Sequence, residues 1–248
     1  MIKMIQKMQM LQKGNKMETV LECKNLTKKY LTKTALDGID LQVPQGAIVG
    51  LLGPNGSGKT TLLKLAAGLL KPTAGEIKVC GLKPGAKSKE ISAYQPDRVY
   101  LNDWMTVQDL VNMMADFYPN FRTEKANEML KDLKIDSKSK LKTLSKGTKE
   151  KVQLILTMSR EVPLYMLDEP IGGVDPAARD YILNTIIANY SENATVILST
   201  HLISDIEPVL NYVLFLKEGN IIRQGDADQI REEKGMSIDS LFREEFRC

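Results

Sequence analysis

Residues 53–60 read Gly-Pro-Asn-Gly-Ser-Gly-Lys-Thr, the spacing G-x-x-x-x-G-K-[ST]. Glycines at these places allow backbone angles that a side chain would block, so successive N–H groups can curl around phosphate oxygens. A helix beginning there adds partial positive charge, worth up to about 2 kcal/mol in a favourable site. The spacing puts Lys59 within reach of β- and γ-phosphates and the Thr60 hydroxyl on a Mg²⁺ ion. The motif indicates a nucleoside triphosphate and selects no family. A second chemical feature lies a hundred residues on, where Leu164-Tyr165-Met166-Leu167 runs into Asp168 and Glu169. A buried strand would deliver both acids at its C-terminal end, where open α/β sheets bind ligands. A strand that simply enters an acidic turn has the same letters. His201 is the single histidine and follows another apolar run. Taken alone, it reads as a structural or surface residue.

These groups act together only if strands and helices bring them to one place. Residues 47–52 form an apolar run ending at Gly53, as a buried strand would. Residues 60–70 have helical spacing, with Leu62, Leu63, Leu65 and Ala66 inward and Pro72 and Gly75 as terminators. Short strands are expected at 20–23, 35–43, 76–79, 164–167 and 195–199, and a helix at 175–190. Segments 213–216 and 220–223 flank Glu218-Gly219 as a hairpin. Between about 96 and 149 the strand pattern stops, and helices are expected at 104–118 and 123–133. The sum is an α/β nucleotide-binding core with a helical insertion.

Composition narrows the setting. The 248 residues suit one large α/β domain, and 43% hydrophobic with 26% charged residues is ordinary for a globular chain. No apolar run approaches the roughly 20 residues of a membrane-spanning helix, so any membrane part belongs to another polypeptide. Lys and Arg number 34 against 31 Asp and Glu, a balance that argues against nucleic acid as partner. The lysines between 131 and 151 are interrupted by Asp132, Asp136 and Glu150 and read as a solvated face. Cys23, Cys80 and Cys248 are far apart with no CxxC, which fits a reducing cytosol and gives neither a disulfide framework nor a zinc site. Residues 1–16 are rich in Met and Lys and carry no acid. They are expected to lie outside the domain, as a disordered tail or as codons upstream of a start at Met17. The other reading is an amphipathic helix on a membrane surface, with Ile2, Ile5, Met8 and Leu11 on one face.

Several further motifs occur in order and carry a family resemblance. Leu144-Ser145-Lys146-Gly147-Thr148 resembles the LSGGQ signature of ABC transporters, with Lys146 and Thr148 as departures and Ser145 and Gly147 kept. By residue type, Ser145 is an N-cap for a helix whose inner face shows Val152, Ile155, Leu156 and Ser159. Asp168-Glu169 after its apolar run resembles the Walker B motif. Gly172-Gly173-Val174-Asp175-Pro176 resembles the D-loop, Gln95-Pro96 the Q-loop, His201 the switch histidine, and Tyr30 the aromatic residue that stacks on adenine. Over about residues 18–230 the chain is similar to the nucleotide-binding subunit of ABC transporters.

The resemblance implies a fold and a mechanism. The fold is a P-loop NTPase (RecA-like) core with an antiparallel β subdomain and a helical insertion. The core covers 17–95 and 150–230, the helical part about 96–149, and a C-terminal segment 231–248. ATP with Mg²⁺ is the implied cofactor pair. Gly53, Pro54, Asn55, Gly56, Ser57, Gly58, Lys59, Thr60 and Thr61 would hold the phosphates, and Thr60, Gln95 and Asp168 the metal. Glu169 would act as general base, with Gln95 and His201 beside the reacting phosphate. Ser145 and Gly147 would contact the γ-phosphate bound by a second ATPase subunit, identical or paralogous, and Asp175 would link the two sites. A separate transmembrane permease is implied, with the chain peripheral on the cytoplasmic face of the membrane. The compact chain, the Lys146-bearing signature and Leu241-Phe242-Arg243-Glu244-Glu245 resemble the bacterial ABC-2 exporters of drugs, peptides or surface components. An importer subunit is the alternative, and a soluble ABC ATPase the more distant one.

Overall fold

The computed structural model describes residues 19–172, 176–189 and 193–246. The 1–16 extension, Met17 and Asp175 lie outside the described residues. The strands are β1 (Thr19–Tyr30), β2 (Lys33–Pro44), β3 (Ile48–Leu52), β4 (Ala74–Val79), β5 (Ser92–Gln95), β6 (Leu164–Asp168), β7 (Thr195–Thr200), β8 (Tyr212–Lys217) and β9 (Asn220–Asp226). Six of them form one sheet in the order β5-β6-β7-β3-β8-β9, parallel throughout except for β9 against β8. The other three form an antiparallel sheet in the order β2-β1-β4.

The central strands β3, β6 and β7 are buried at every step because both faces of the large sheet are covered. Ile48 and Leu52 of β3 enter one core, and Val49 and Leu51 enter the other. Tyr165 and Leu167 of β6 split from Leu164 and Met166 in the same way. One core is roofed by the helical insertion, the other by the antiparallel sheet and the helix that follows β3.

The helices are α1 (Lys59–Ala66), α2 (Ala86–Glu90), α3 (Val107–Phe117), α4 (Thr123–Asp132), α5 (Lys146–Met158), α6 (Pro176–Asn189), α7 (Ile203–Ile206), α8 (Ala227–Lys234) and α9 (Ile238–Glu245). Ser145 caps α5 as expected, its Oγ accepting from Thr148 N at 3.2 Å. Leu110 and Val111 of α3, Met129 and Leu130 of α4, and Val152 and Ile155 of α5 share one buried cluster, which makes the insertion a packed unit on the core.

Some boundaries differ from expectation, each for a local reason. α1 stops at Ala66 rather than at 70, because Gly68 turns left-handed (φ +65°) and its N–H closes on Leu65 O at 3.1 Å. α3 begins at Val107 rather than at Trp104. Thr106 and Asp109 form a reciprocal capping box there, and Trp104 stays 71% exposed. β1 and β2 are longer than their apolar sets suggested. Three register irregularities between Cys23 and Lys29 break the in–out alternation that would have marked the extension. α8 and α9 were not anticipated. Asp226 and Ser237 cap them, and Phe242 packs edge-on against Phe215 of β8 at 5.7 Å between ring centroids.

Candidate active site

The phosphate-type loop leaves the C-terminal end of β3, in the middle of the large sheet, and enters α1. Its curl is fixed by neighbours on two sides. Gly219 N donates to Ser57 O at 3.0 Å, tying the loop to the β8–β9 turn. Gly58 has φ +116°, and a Cβ there would stand 2.5 Å from Ala35 O of β2, so only glycine fits. Lys59 is buried and folds back over the loop, donating to Gly53 O at 2.6 Å and Pro54 O at 3.2 Å. Burial pushes its ammonium pKa down, and the nearby Glu169 carboxylate opposes that shift.

Two neighbouring strand ends meet this loop. β6 ends at the fully buried Asp168, whose Oδ1 accepts from Ser199 Oγ at 2.6 Å and from Thr60 Oγ1 at 3.2 Å. Tyr94 OH donates to Oδ2 at 3.5 Å. Burial raises the Asp168 pKa, and the bonds from Ser199 and Thr60 pull it back. Glu169 has left-handed backbone (φ +48°), a conformation costing a non-glycine residue about 1–2 kcal/mol. It is held there by its N–H, which donates to both Ser199 O and Ser199 Oγ at 3.0 Å. Its two carboxylate oxygens then face different partners. Oε1 lies 3.5 Å from Lys59 Nζ, and Oε2 lies 3.1 Å from His201 Nδ1. Thus Lys59, Thr60, Asp168, Glu169 and His201, from three separate segments, converge on one point.

A cleft of about 300 Å³ opens over that point. Tyr30, Lys33, Asn55, Lys59, Thr60 and Glu169 are among its lining residues, with Thr61, Gly56, Gly58 and Asp97. Gln95 ends β5, paired in register with Leu167 and so one step from Asp168. It is buried, and its Oε1 has no hydrogen-bond partner; the same holds for Ser57 Oγ. Thr60, Gln95 and Asp168 all offer oxygen atoms, the set that suits a hard cation such as Mg²⁺. No group of three or more His, Cys, Asp and Glu among the described residues could cage a metal alone.

Ser145 and Gly147 do not line the cleft. Ser145 is exposed, and a Cβ on Gly147 would meet nothing within 4 Å. Sequence reasoning missed Ser199, Tyr94, Asp97 and Lys33. Ser199 had a signal, a hydroxyl ending an apolar strand; Lys33 and Asp97 had none, because their place depends on the hairpin and on the chain path after Pro96.

The chain as a whole is similar to known proteins. A family model described as ABC transporter matches residues 36–172. The ABC transporter ATP-binding protein YtrB of Bacillus subtilis (strain 168) is 33% identical over 217 residues, covering 86% of this chain and 74% of that protein. A solved ATP-binding subunit of an ABC transporter superposes with a TM-score of 0.83 at 29% identity, covering 91% of this chain and 99% of that one. The ATP-binding cassette MJ0796, solved as a dimer in a post-hydrolysis state with ADP and Pi, shares the fold with a TM-score of 0.73 at 23% identity. That match covers 83% of this chain and 98% of that one.

Proposed function

This chain belongs to the ABC transporter family as an ATP-binding, ATP-hydrolysing subunit that uses ATP with Mg²⁺, and we propose that it drives a separate membrane permease as one of two ATPase subunits. The observation that carries the catalytic reading is the meeting of Lys59, Asp168, Glu169 and His201 at the mouth of the phosphate loop. Lys59 and the loop amides would take the β- and γ-phosphates, and Tyr30 the adenine. Thr60, Asp168 and Gln95 would hold Mg²⁺, which neutralises charge building on the phosphates. A γ-phosphate oxygen competing for Lys59 would release Glu169 Oε1 to accept a proton from the attacking water. His201, on Oε2, would orient that carboxylate and sense the γ-phosphate.

The second subunit is supported by the placement of the signature. Ser145 and Gly147 are presented to solvent at the start of α5, away from their own chain's cleft. A partner related by two-fold symmetry could place them on the γ-phosphate, with Asp175 between the two sites. The dimeric state of MJ0796 with ADP and Pi supports the same assembly. No helix among the described residues is long and apolar enough to cross a membrane. On the family's pattern we assign translocation to another chain and this one to the cytoplasmic face. We retain the division into a core (17–95 and 150–230), a helical part (96–149) and a C-terminal segment. The direction we propose is export, on the resemblance of the compact chain, the Lys146-bearing signature and the C-terminal segment to ABC-2 subunits.

Glu169→Gln is the test of the reading. It keeps the shape and removes the base, so turnover should fall about 10²–10⁴-fold while ATP binding is kept. Chromatography with and without ATP should show an ATP-dependent dimer of this variant. Full turnover by Glu169→Gln would remove the general-base role.

A further inference from the structure

We propose that Lys33 is a nucleotide-binding residue, its ammonium contacting the α- and β-phosphates of ATP and ADP from the β1–β2 hairpin. The inference rests on the cleft being the ATP site and adds to it a cation that no motif supplies. β1 and β2 are joined by a two-residue turn, and Tyr30 and Lys33 are paired directly across it. Directly opposed residues of an antiparallel pair send their side chains to the same face. Both side chains line the cleft. The ammonium reaches the phosphate loop itself, where Lys33 Nζ lies 3.6 Å from the position a Cβ on Gly56 would take.

The other nearby cations are already engaged. Lys28 Nζ donates to Lys71 O at 2.8 Å and stands 5.2 Å from the Tyr30 ring centroid, where it braces the aromatic ring. Lys59 is bonded to Gly53 O and Pro54 O and faces Glu169. Lys33 makes no salt bridge with a described residue, so an anion entering the cleft meets a charge that need not first leave a partner. Its position decides which anion. Tyr30, the adenine-side residue, flanks it on the hairpin, and Gly56 precedes by three positions the Lys59 that reaches the terminal phosphates. A cation between them faces the inner phosphates. The γ-phosphate lies beyond, so ATP and ADP should gain equally.

Binding of fluorescent ATP and ADP analogues to the full chain tests this. Lys33 is exposed, and water screens an exposed ion pair, so the effect is modest. Lys33→Ala should weaken both nucleotides by the same factor, about two- to fivefold. Lys33→Arg should restore affinity, Lys33→Glu should lose more than Ala, and the difference from wild type should shrink as salt rises. Unchanged affinity in Lys33→Ala, a loss confined to ATP, or equal loss in Lys33→Arg overturns the assignment. Lys59→Ala in the same titration separates the two claims. If wild type binds and Lys59→Ala does not, a silent Lys33→Ala removes only the Lys33 contact. If wild type binds neither nucleotide, the reading of the cleft fails first.

Discussion

Ser199 shows how one hydroxyl can set two carboxylates. It is fully buried, donates to Asp168 Oδ1 at 2.6 Å and accepts from Glu169 N at 3.0 Å. Asp168 has lost all contact with water, so a bond to its charged form is worth more than the same bond at a surface. Ser199 also sits two residues before His201, which directly follows the end of β7, so the histidine that touches Glu169 leaves the strand end that anchors it. Ser199→Ala should lower kcat about 10- to 100-fold, the range seen when a group orienting a metal ligand is removed. KM for ATP should change little, because Lys59 and the loop amides are untouched, and Ser199→Thr should recover most of the rate. Steady-state ATP hydrolysis checks it; a parallel rise in KM with kcat unchanged would show that Ser199 supports binding and not the geometry of the two acids. The ligand-like residues themselves were legible, because each sits in a motif of fixed spacing. Ser199 showed only a hydroxyl near the end of an apolar strand, and its role is created by the lateral pairing of β6 with β7, a contact between residues 31 apart.

At the scale of elements, α5 ties the signature to the rest of the molecule. Its N-terminus is capped by Ser145, and its interior positions from Val152 to Met158 are all buried. Replacing Ser145 by Ala removes the acceptor for Thr148 N and should cost about 1 kcal/mol. For a chain of this size that is about 2–4 °C in Tm, while Ser145→Asp should preserve the cap. Nucleotide binding to the separate chain should not change, because Ser145 does not line the cleft. Thermal melts with and without ATP check both halves; a Ser145→Ala chain that melts as wild type would remove the capping claim. The elements carrying strong periodicity were readable in advance: the apolar runs of β3, β6 and β7, and the inward faces of α1 and α5. Those that escaped were short or depended on partners. β5 is four residues with buried Ser92 and Gln95, α2 is five residues, and α9 is recognisable only once Phe215 is in place to receive Phe242 and Phe246. The polar half of β1 was hidden by its own bulges.

At the scale of the whole molecule, a surface suited to a partner lies outside the nucleotide cleft. Where the helical insertion meets the core, a groove of about 330 Å³ is lined by Leu69, Tyr94, Tyr100, Met114, Phe117 and Arg160 among others. Phe117 is 73% exposed, Leu69 55% and Tyr100 53%, a concentration of apolar surface that a solitary chain gains nothing by displaying. The floor is firm, because the buried Arg160 guanidinium donates to Ser92 O, Lys89 O and Glu90 O at 2.7–2.9 Å and packs 3.8 Å from the Tyr118 ring centroid. Tyr94 joins this groove to the catalytic centre, since it lines the one and its hydroxyl reaches Asp168 in the other. On the proposed function, a segment of the permease would seat here, and pressure on the groove would be felt at Asp168 through a single side chain, Tyr94. Phe117→Asp places a charge where that segment would pack, and burying an unpaired carboxylate is costly. Co-purification with the permease from membranes should therefore be lost, while ATP binding and the ATP-dependent dimer of a Glu169→Gln background persist, because Phe117 lines neither the cleft nor α5. Retained co-purification of Phe117→Asp would move the permease contact elsewhere on the molecule and leave the groove without its assigned partner.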